Sequence, residues 1–77
     1  MIEKLLTDRE REMARFVTAG LSNKQIAGKA GISEGTVKIH LHNAYEKLGI
    51  ANRTTLAVMM ARSYRAEQFA AQQQLAA

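Results

Sequence analysis

The first clear stripe of apolar positions is Met13, Ala14, Phe16 and Val17, which share one side of a helix. Further stripes of this kind follow as far as the fourth helix. With no proline and little clustering of β-branched residues, every element is expected to be helical. Starts and stops are well marked. Thr7-Asp8-Arg9-Glu10 is a capping box ahead of the first stripe, and Gly20 supplies a left-handed stop after it. Ser22-Asn23-Lys24-Gln25 repeats the box and opens a short helix with Ile26, Ala27 and Ala30 inward, closed by Gly31. Ser33 caps a third helix, with Glu34 at its positive end, and Gly49 ends it. Asn52 caps a fourth helix that begins Arg53-Thr54-Thr55-Leu56.

The third helix has the plainest period. At about 100° per residue, Val37, Leu41, Ala44 and Leu48 fall within roughly 60° of one another and form its buried face. Gly35, Ile39, His42 and Glu46 point the opposite way, with Lys38 and Asn43 on the flanks. In the fourth helix, Leu56, Met60 and Tyr64 are expected inward, and Val58, Ala61, Arg62 and Arg65 outward, with Phe69 extending the outward row. Residues 66–77 are rich in alanine and glutamine, which favours a helical extension or a frayed tail with little to bury. The expected architecture is therefore all-α: four helices in one domain spanning 1–77, with a core over 6–65 and an extended C-terminal helix.

Composition narrows the chemistry. The 77 residues suit one small domain, and an aromatic content of only 5% makes the core aliphatic. With no cysteine, disulfides and cysteine-ligated zinc are excluded, and two histidines without a carboxylate cluster make a poor metal site. No metal, cofactor or small-molecule ligand is expected. No apolar run is long enough to span a membrane, and the N-terminus lacks the apolar segment of a signal peptide, so no membrane association and a cytoplasmic location are expected. No nucleophile–base pair, carboxylate pair or phosphate-cradling loop is visible, so the chain does not read as an enzyme. The net charge of +4 is unevenly spread. Residues 1–21 are neutral. Residues 22–53 carry Lys24, Lys29, Lys38, Lys47 and Arg53 against Glu34 and Glu46, and this excess permits a polyanionic partner.

Only Gly31-Ile32-Ser33 joins the second and third helices. The run Ala27-x-x-x-Gly31-Ile32-x-x-x-x-Val37 places a small residue at a helix crossing, a glycine in the turn, and apolar residues that lock the second helix of the pair. This is a helix-turn-helix arrangement. It projects the third helix, residues 33–48, in a form that fits the DNA major groove with its first turns nearest the bases. The outward Lys38, Ile39 and His42 lie in those turns: Lys38 can donate to guanine, Ile39 can touch a thymine methyl, and His42 can donate to a base or phosphate. His40 lies beside the buried face and is expected to be packed and hydrogen-bonded.

The segment from Leu6 to Arg65 resembles the LuxR/GerE-type (NarL/FixJ) DNA-binding domain. The resemblance is carried by Leu6-Thr7 with Arg9-Glu10-Arg11-Glu12, Gly20-Leu21-Ser22-Asn23-Lys24 with Ile26-Ala27, Ile32-Ser33, Thr36-Val37-Lys38-x-His40, Lys47-Leu48-Gly49 and Asn52-Arg53-Thr54. It implies a four-helix domain that binds double-stranded DNA as a homodimer and regulates bacterial transcription, with RNA polymerase a further partner. Its base-reading positions fall on Lys38, Ile39 and His42. Its backbone-contacting positions fall on Ser22, Asn23, Lys24, Thr36, Lys47, Asn52, Arg53 and Thr54. Its dimer contact through the fourth helix matches Val58, Ala61, Arg62 and Arg65. Members usually carry an N-terminal sensory domain, so the chain corresponds to the effector domain of a response regulator or to a stand-alone regulator. Lys29-Ala30 departs from the pattern, which often has an acidic residue and leucine there, and this predicts looser packing of the second helix. Region 4 of a sigma factor has a similar helix-turn-helix, but Lys47-Leu48-Gly49-Ile50 followed by the Asn52-capped helix argues against it. A helical protein-interaction module with a basic face is the alternative of another class.

Overall fold

The computed structural model describes the backbone of residues 2–76 and the side chains of residues 4–65. A 3₁₀ turn over Ile2–Leu5 precedes α1 (Asp8–Thr18), α2 (Asn23–Ala30), α3 (Glu34–Leu48) and α4 (Arg53–Ala76). The expected all-α helix-turn-helix architecture is what forms. The expected caps are present. Thr7 Oγ1 accepts the Glu10 amide at 3.2 Å and Glu10 Oε1 accepts the Thr7 amide at 2.9 Å. Ser22 and Gln25 repeat the exchange at 3.2 and 2.9 Å. Ser33 Oγ accepts the Thr36 amide at 3.1 Å, and Asn52 Oδ1 accepts the Thr55 amide at 2.9 Å. Each side-chain oxygen satisfies a donor that has no partner within its helix.

One stop signal is used three times. Gly20, Gly31 and Gly49 take φ of +89°, +69° and +67°, a region costly for any residue with a Cβ. In each case the next residue is apolar and its amide closes back onto the helix: Leu21 to the Phe16 carbonyl, Ile32 to Ala27 and Ile50 to Tyr45, at 3.0–3.1 Å. This is the Schellman geometry. Its hydrophobic half is also present, because Leu21, Ile32 and Ile50 are half-buried against the core. The glycine turns the chain, and the residue after it fixes the direction in which it leaves.

α1 packs on α3 and α4, while α2 packs on α3. Met13, Ile26, Val37 and Leu56, one from each helix, are fully enclosed, with Leu41, Ala44, Met60, Ala14 and Val17 around them. Each large aliphatic side chain so buried contributes about 1.5–3 kcal/mol. Ala27 of α2 is buried, and Ala30 and Ile32 are half-buried against the core.

One expectation fails. Tyr64 is 63% exposed and is not part of the inward stripe of α4. At about 100° per residue it stands about 80° from Leu56, whereas Ser63 stands only about 20° away. Ser63 takes the inward position instead. It is half-buried, with its Oγ enclosed and unpartnered among the described residues. The backbone of α4 continues helical to Ala76. The Phe69 side chain, expected to extend the outward row, lies outside the described residues.

Candidate nucleic-acid interface

The candidate surface lies on α3, because Val37, Leu41 and Ala44 anchor one side of that helix and leave the other in solvent. Lys38, Ile39 and His42 are all exposed there, Ile39 to 60%. A single exposed apolar side chain is ordinary on a protein surface, so Ile39 counts here only together with the lysine and the histidine on the same helix face. His42 Nε2 lies 3.1 Å from Glu46 Oε1, one turn on, with both side chains 69% exposed. His40 is half-buried as expected, but no hydrogen bond joins it to another described residue. Thr36, half-buried, shares a 2.9 Å hydroxyl contact with Ser33 that completes the cap of α3.

At the start of α2, Ser22 and Lys24 are exposed. The amides of Asn23 and Lys24 lie in the first turn, where helix geometry gives no acceptor. A second set of free amides, from Glu34 and Gly35, opens α3. Two helix starts therefore present unsatisfied donors and the positive ends of helix dipoles, a chemistry suited to phosphate oxygens. Lys24, Lys29 and Lys38 are exposed and have no ion-pair partner among the described residues. A Cβ at Gly35 would meet only Ser33 Oγ, at 3.8 Å, so the fold itself does not require glycine there.

Two of the basic residues expected at the DNA backbone are engaged inside the domain. Lys47 Nζ lies 2.7 Å from Glu10 Oε1, and Glu10 is only 5% exposed against 40% for the lysine. Burial alone would raise the pKa of the Glu10 carboxyl. The hydrogen bonds from Lys47 and Thr7 and the lysine charge outweigh it and hold the carboxyl below its ordinary value. Arg53 is the second case: its guanidinium donates to Asn23 Oδ1 at 2.6 Å and to the Leu21 carbonyl. Asn52 acts mainly as a cap, also accepting the Thr55 hydroxyl at 3.0 Å, and Thr54 is exposed. Glu10 had a readable signal, since it lies three, four and seven residues before Met13, Ala14 and Val17, on the buried stripe. A carboxylate there needs a cation. Nothing in the local sequence identifies Lys47 as that cation, or Asn23 as the acceptor for Arg53.

On α4, Val58, Arg62 and Arg65 are exposed and Ala61 is half-buried, forming one outward side. Among the described residues, no group of three or more His, Cys, Asp or Glu side chains could hold a metal ion, and no helix is long and apolar enough to cross a membrane.

Residues 4–60 match the family model described as bacterial regulatory proteins, luxR family. The probable transcriptional regulatory protein SgaR of Hyphomicrobium methylovorum is 54% identical over 48 residues, covering 62% of this chain and 23% of that protein. A nitrate/nitrite response regulator protein homolog of Haemophilus influenzae is 48% identical over 54 residues, covering 70% of this chain and 26% of that one. The putative HTH-type transcriptional regulator YhjB of Escherichia coli is 46% identical over 57 residues, covering 74% and 28%. The chain spans about a quarter of the length of these curated relatives.

Proposed function

The chain belongs to the luxR family of bacterial regulatory proteins, and on that premise we propose that it binds double-stranded DNA sequence-specifically and regulates transcription in the bacterial cytoplasm. α3 enters the major groove, where Lys38, Ile39 and His42 read base edges. Ser22, Asn23, Lys24 and Thr36, with the free amides at the starts of α2 and α3, grip the phosphates on either side. Thr54 stands at the start of α4 for the same purpose. Two copies pair through Val58, Ala61, Arg62 and Arg65 of α4, so that two recognition helices meet two half-sites. The similarity to a relative named as a response regulator homolog supports reading the chain as an effector domain of that class.

The observation that carries this reading is the outward face of α3, where a cation, an exposed apolar residue and a histidine stand together opposite a fully buried stripe. Its test begins with selection of bound duplexes from a random pool. Lys38→Ala is then expected to lose about 1–3 kcal/mol of discrimination between the selected duplex and a scrambled one. Equal weakening on both duplexes would show that Lys38 does not read bases. Sedimentation on a duplex with two half-sites is expected to give a dimer, and a monomer there would remove the α4 interface.

A further inference from the structure

The grip of Arg53 on the start of α2 gives this residue a role other than phosphate contact. Arg53 is the first residue of α4, and its base is rigid because Asn52 Oδ1 accepts both the amide and the hydroxyl of Thr55. From that base the guanidinium reaches the Leu21 carbonyl and, at 2.6 Å, Asn23 Oδ1. These two acceptors flank Ser22, the cap of α2. Ser22 and Gln25 close their capping box between them. Among the described residues, α2 packs most broadly on α3. Arg53 is thus a tie to α2 from another side of the domain. A planar guanidinium can hold two acceptors in fixed relation, which a lysine ammonium on a flexible stem does not reproduce.

We propose that Arg53 is a positioning residue of the DNA-contacting surface: it fixes the start of α2, so that the amides of Asn23 and Lys24 and the Lys24 side chain meet phosphate, and does not touch phosphate itself. The proposal rests on the DNA-binding reading above. It follows from three features. Arg53 is half-buried and its guanidinium already donates to two acceptors within the domain. Withdrawing it toward DNA would leave the Leu21 carbonyl, just after the Gly20 turn, without this donor. With Asn23 Oδ1 held by Arg53, the Asn23 side-chain NH₂ is the group left to donate outward.

The test compares Arg53→Lys, which keeps the charge and removes the fork, with Arg53→Gln, which removes the charge. Affinity for the selected duplex is measured over a range of salt concentrations, below the melting temperature of each variant. Exchange of the Ser22 and Gln25 amides is followed in the free protein. Positioning predicts that both variants bind roughly tenfold more weakly, with lysine rescuing no better than glutamine, and that both amides exchange faster. It also predicts that Arg53→Lys costs less in an Asn23→Ala background, where one acceptor is already gone. A direct phosphate contact predicts the reverse: Arg53→Lys binds like the parent, while Arg53→Gln loses about 0.9 from the log–log salt slope. That result, or unchanged affinity in both variants, would overturn the proposal. Failure of the parent chain to bind duplex in a salt-dependent way would defeat the DNA-binding reading instead, and the exchange measurement would still report whether Arg53 holds α2.

Discussion

Replacing Lys47 by methionine separates the two uses open to this residue. Its ammonium lies 2.7 Å from a carboxylate that is only 5% exposed, and the same oxygen accepts the Thr7 amide at 2.9 Å. A hydrogen bond to a charged group contributes about 1.5–3 kcal/mol. Breaking a fully buried pair costs about 3–5 kcal/mol, while an exposed pair is worth about 0–1. Lys47 is 40% exposed, so solvent screens one side of the interaction and the Thr7 amide still serves Glu10 in the variant. The expected loss is therefore about 1.5–2.5 kcal/mol at pH 7, set against a total of roughly 4–12 kcal/mol for a chain of this length. Urea unfolding followed by circular dichroism reads it as a lower midpoint at unchanged slope. The pH dependence supplies a second check. The Glu10 carboxyl titrates below its ordinary value of 4.5 in the folded protein, so its contribution is complete above that pH and is lost as pH falls through the folded value. The gap between parent and variant should accordingly narrow below about pH 4.5. The Glu10→Gln, Lys47→Met double variant should lose less than the two single losses combined. A gap under about 0.5 kcal/mol at pH 7, or one that stays constant down to pH 3, would refute the pairing as a stabilising contact and return Lys47 to the solvent.

Gly28 lies within α2 and a Cβ there would meet nothing within 4 Å, so Gly28→Ala is expected to stabilise the domain by about 0.5–1 kcal/mol, read as a higher melting temperature. Gly31→Ala should do the opposite by about 1–2 kcal/mol, because φ is +69° there; an unchanged melting temperature would show that the turn relaxes freely. Gly35→Ala should leave folding intact, since its nearest contact is ordinary, and weaken DNA binding if the start of α3 approaches a phosphate; undiminished affinity would show that glycine is merely tolerated. The salt slope of DNA binding should be about −2 to −3 per domain, as expected when Lys24 and one or two further cations meet phosphate, and a slope near −4.5 would mean that all five cations of residues 22–53 do so.

Helix limits and the turn between α2 and α3 were legible in the sequence because their causes are local. A capping box spans four residues, and the glycine stop with its apolar follower spans two. The buried face of α3 was legible for a related reason: four aliphatic residues repeat over its full length, so the period is well sampled. α4 offered a shorter and noisier stripe. The sequence places Tyr64 four residues after Met60, and spacing alone favours it for the core. The actual helix drifts by about 40° at every fourth residue, and by Tyr64 this has carried the row past the partner surface. A stripe held for one turn has to switch to an i+3 step to stay inward, and Ser63, small and polar, gives no apolar signal that it has done so.

Charge was the least legible property. Counting residues locates an excess of cations between Ser22 and Arg53 and makes each appear available to a polyanion. Availability depends on tertiary pairing across 37 residues for Lys47 and 30 for Arg53, and local composition has no access to pairings at that range. Both engaged cations stand where helices meet. Lys47, in the last turn of α3, holds a carboxylate in the first turn of α1, so its charge and that of Glu10 each sit at the favourable end of a helix dipole. Arg53 binds the start of α4 to the start of α2. The basic residues of this small domain are thereby divided by geometry. Those with long-range acceptors fix the relative positions of the helices, and those on outward faces, Lys24 and Lys38 among them, remain free to meet another charge. A variant that changes DNA affinity through the first group should also alter stability or amide exchange, whereas one acting through the second should alter affinity alone.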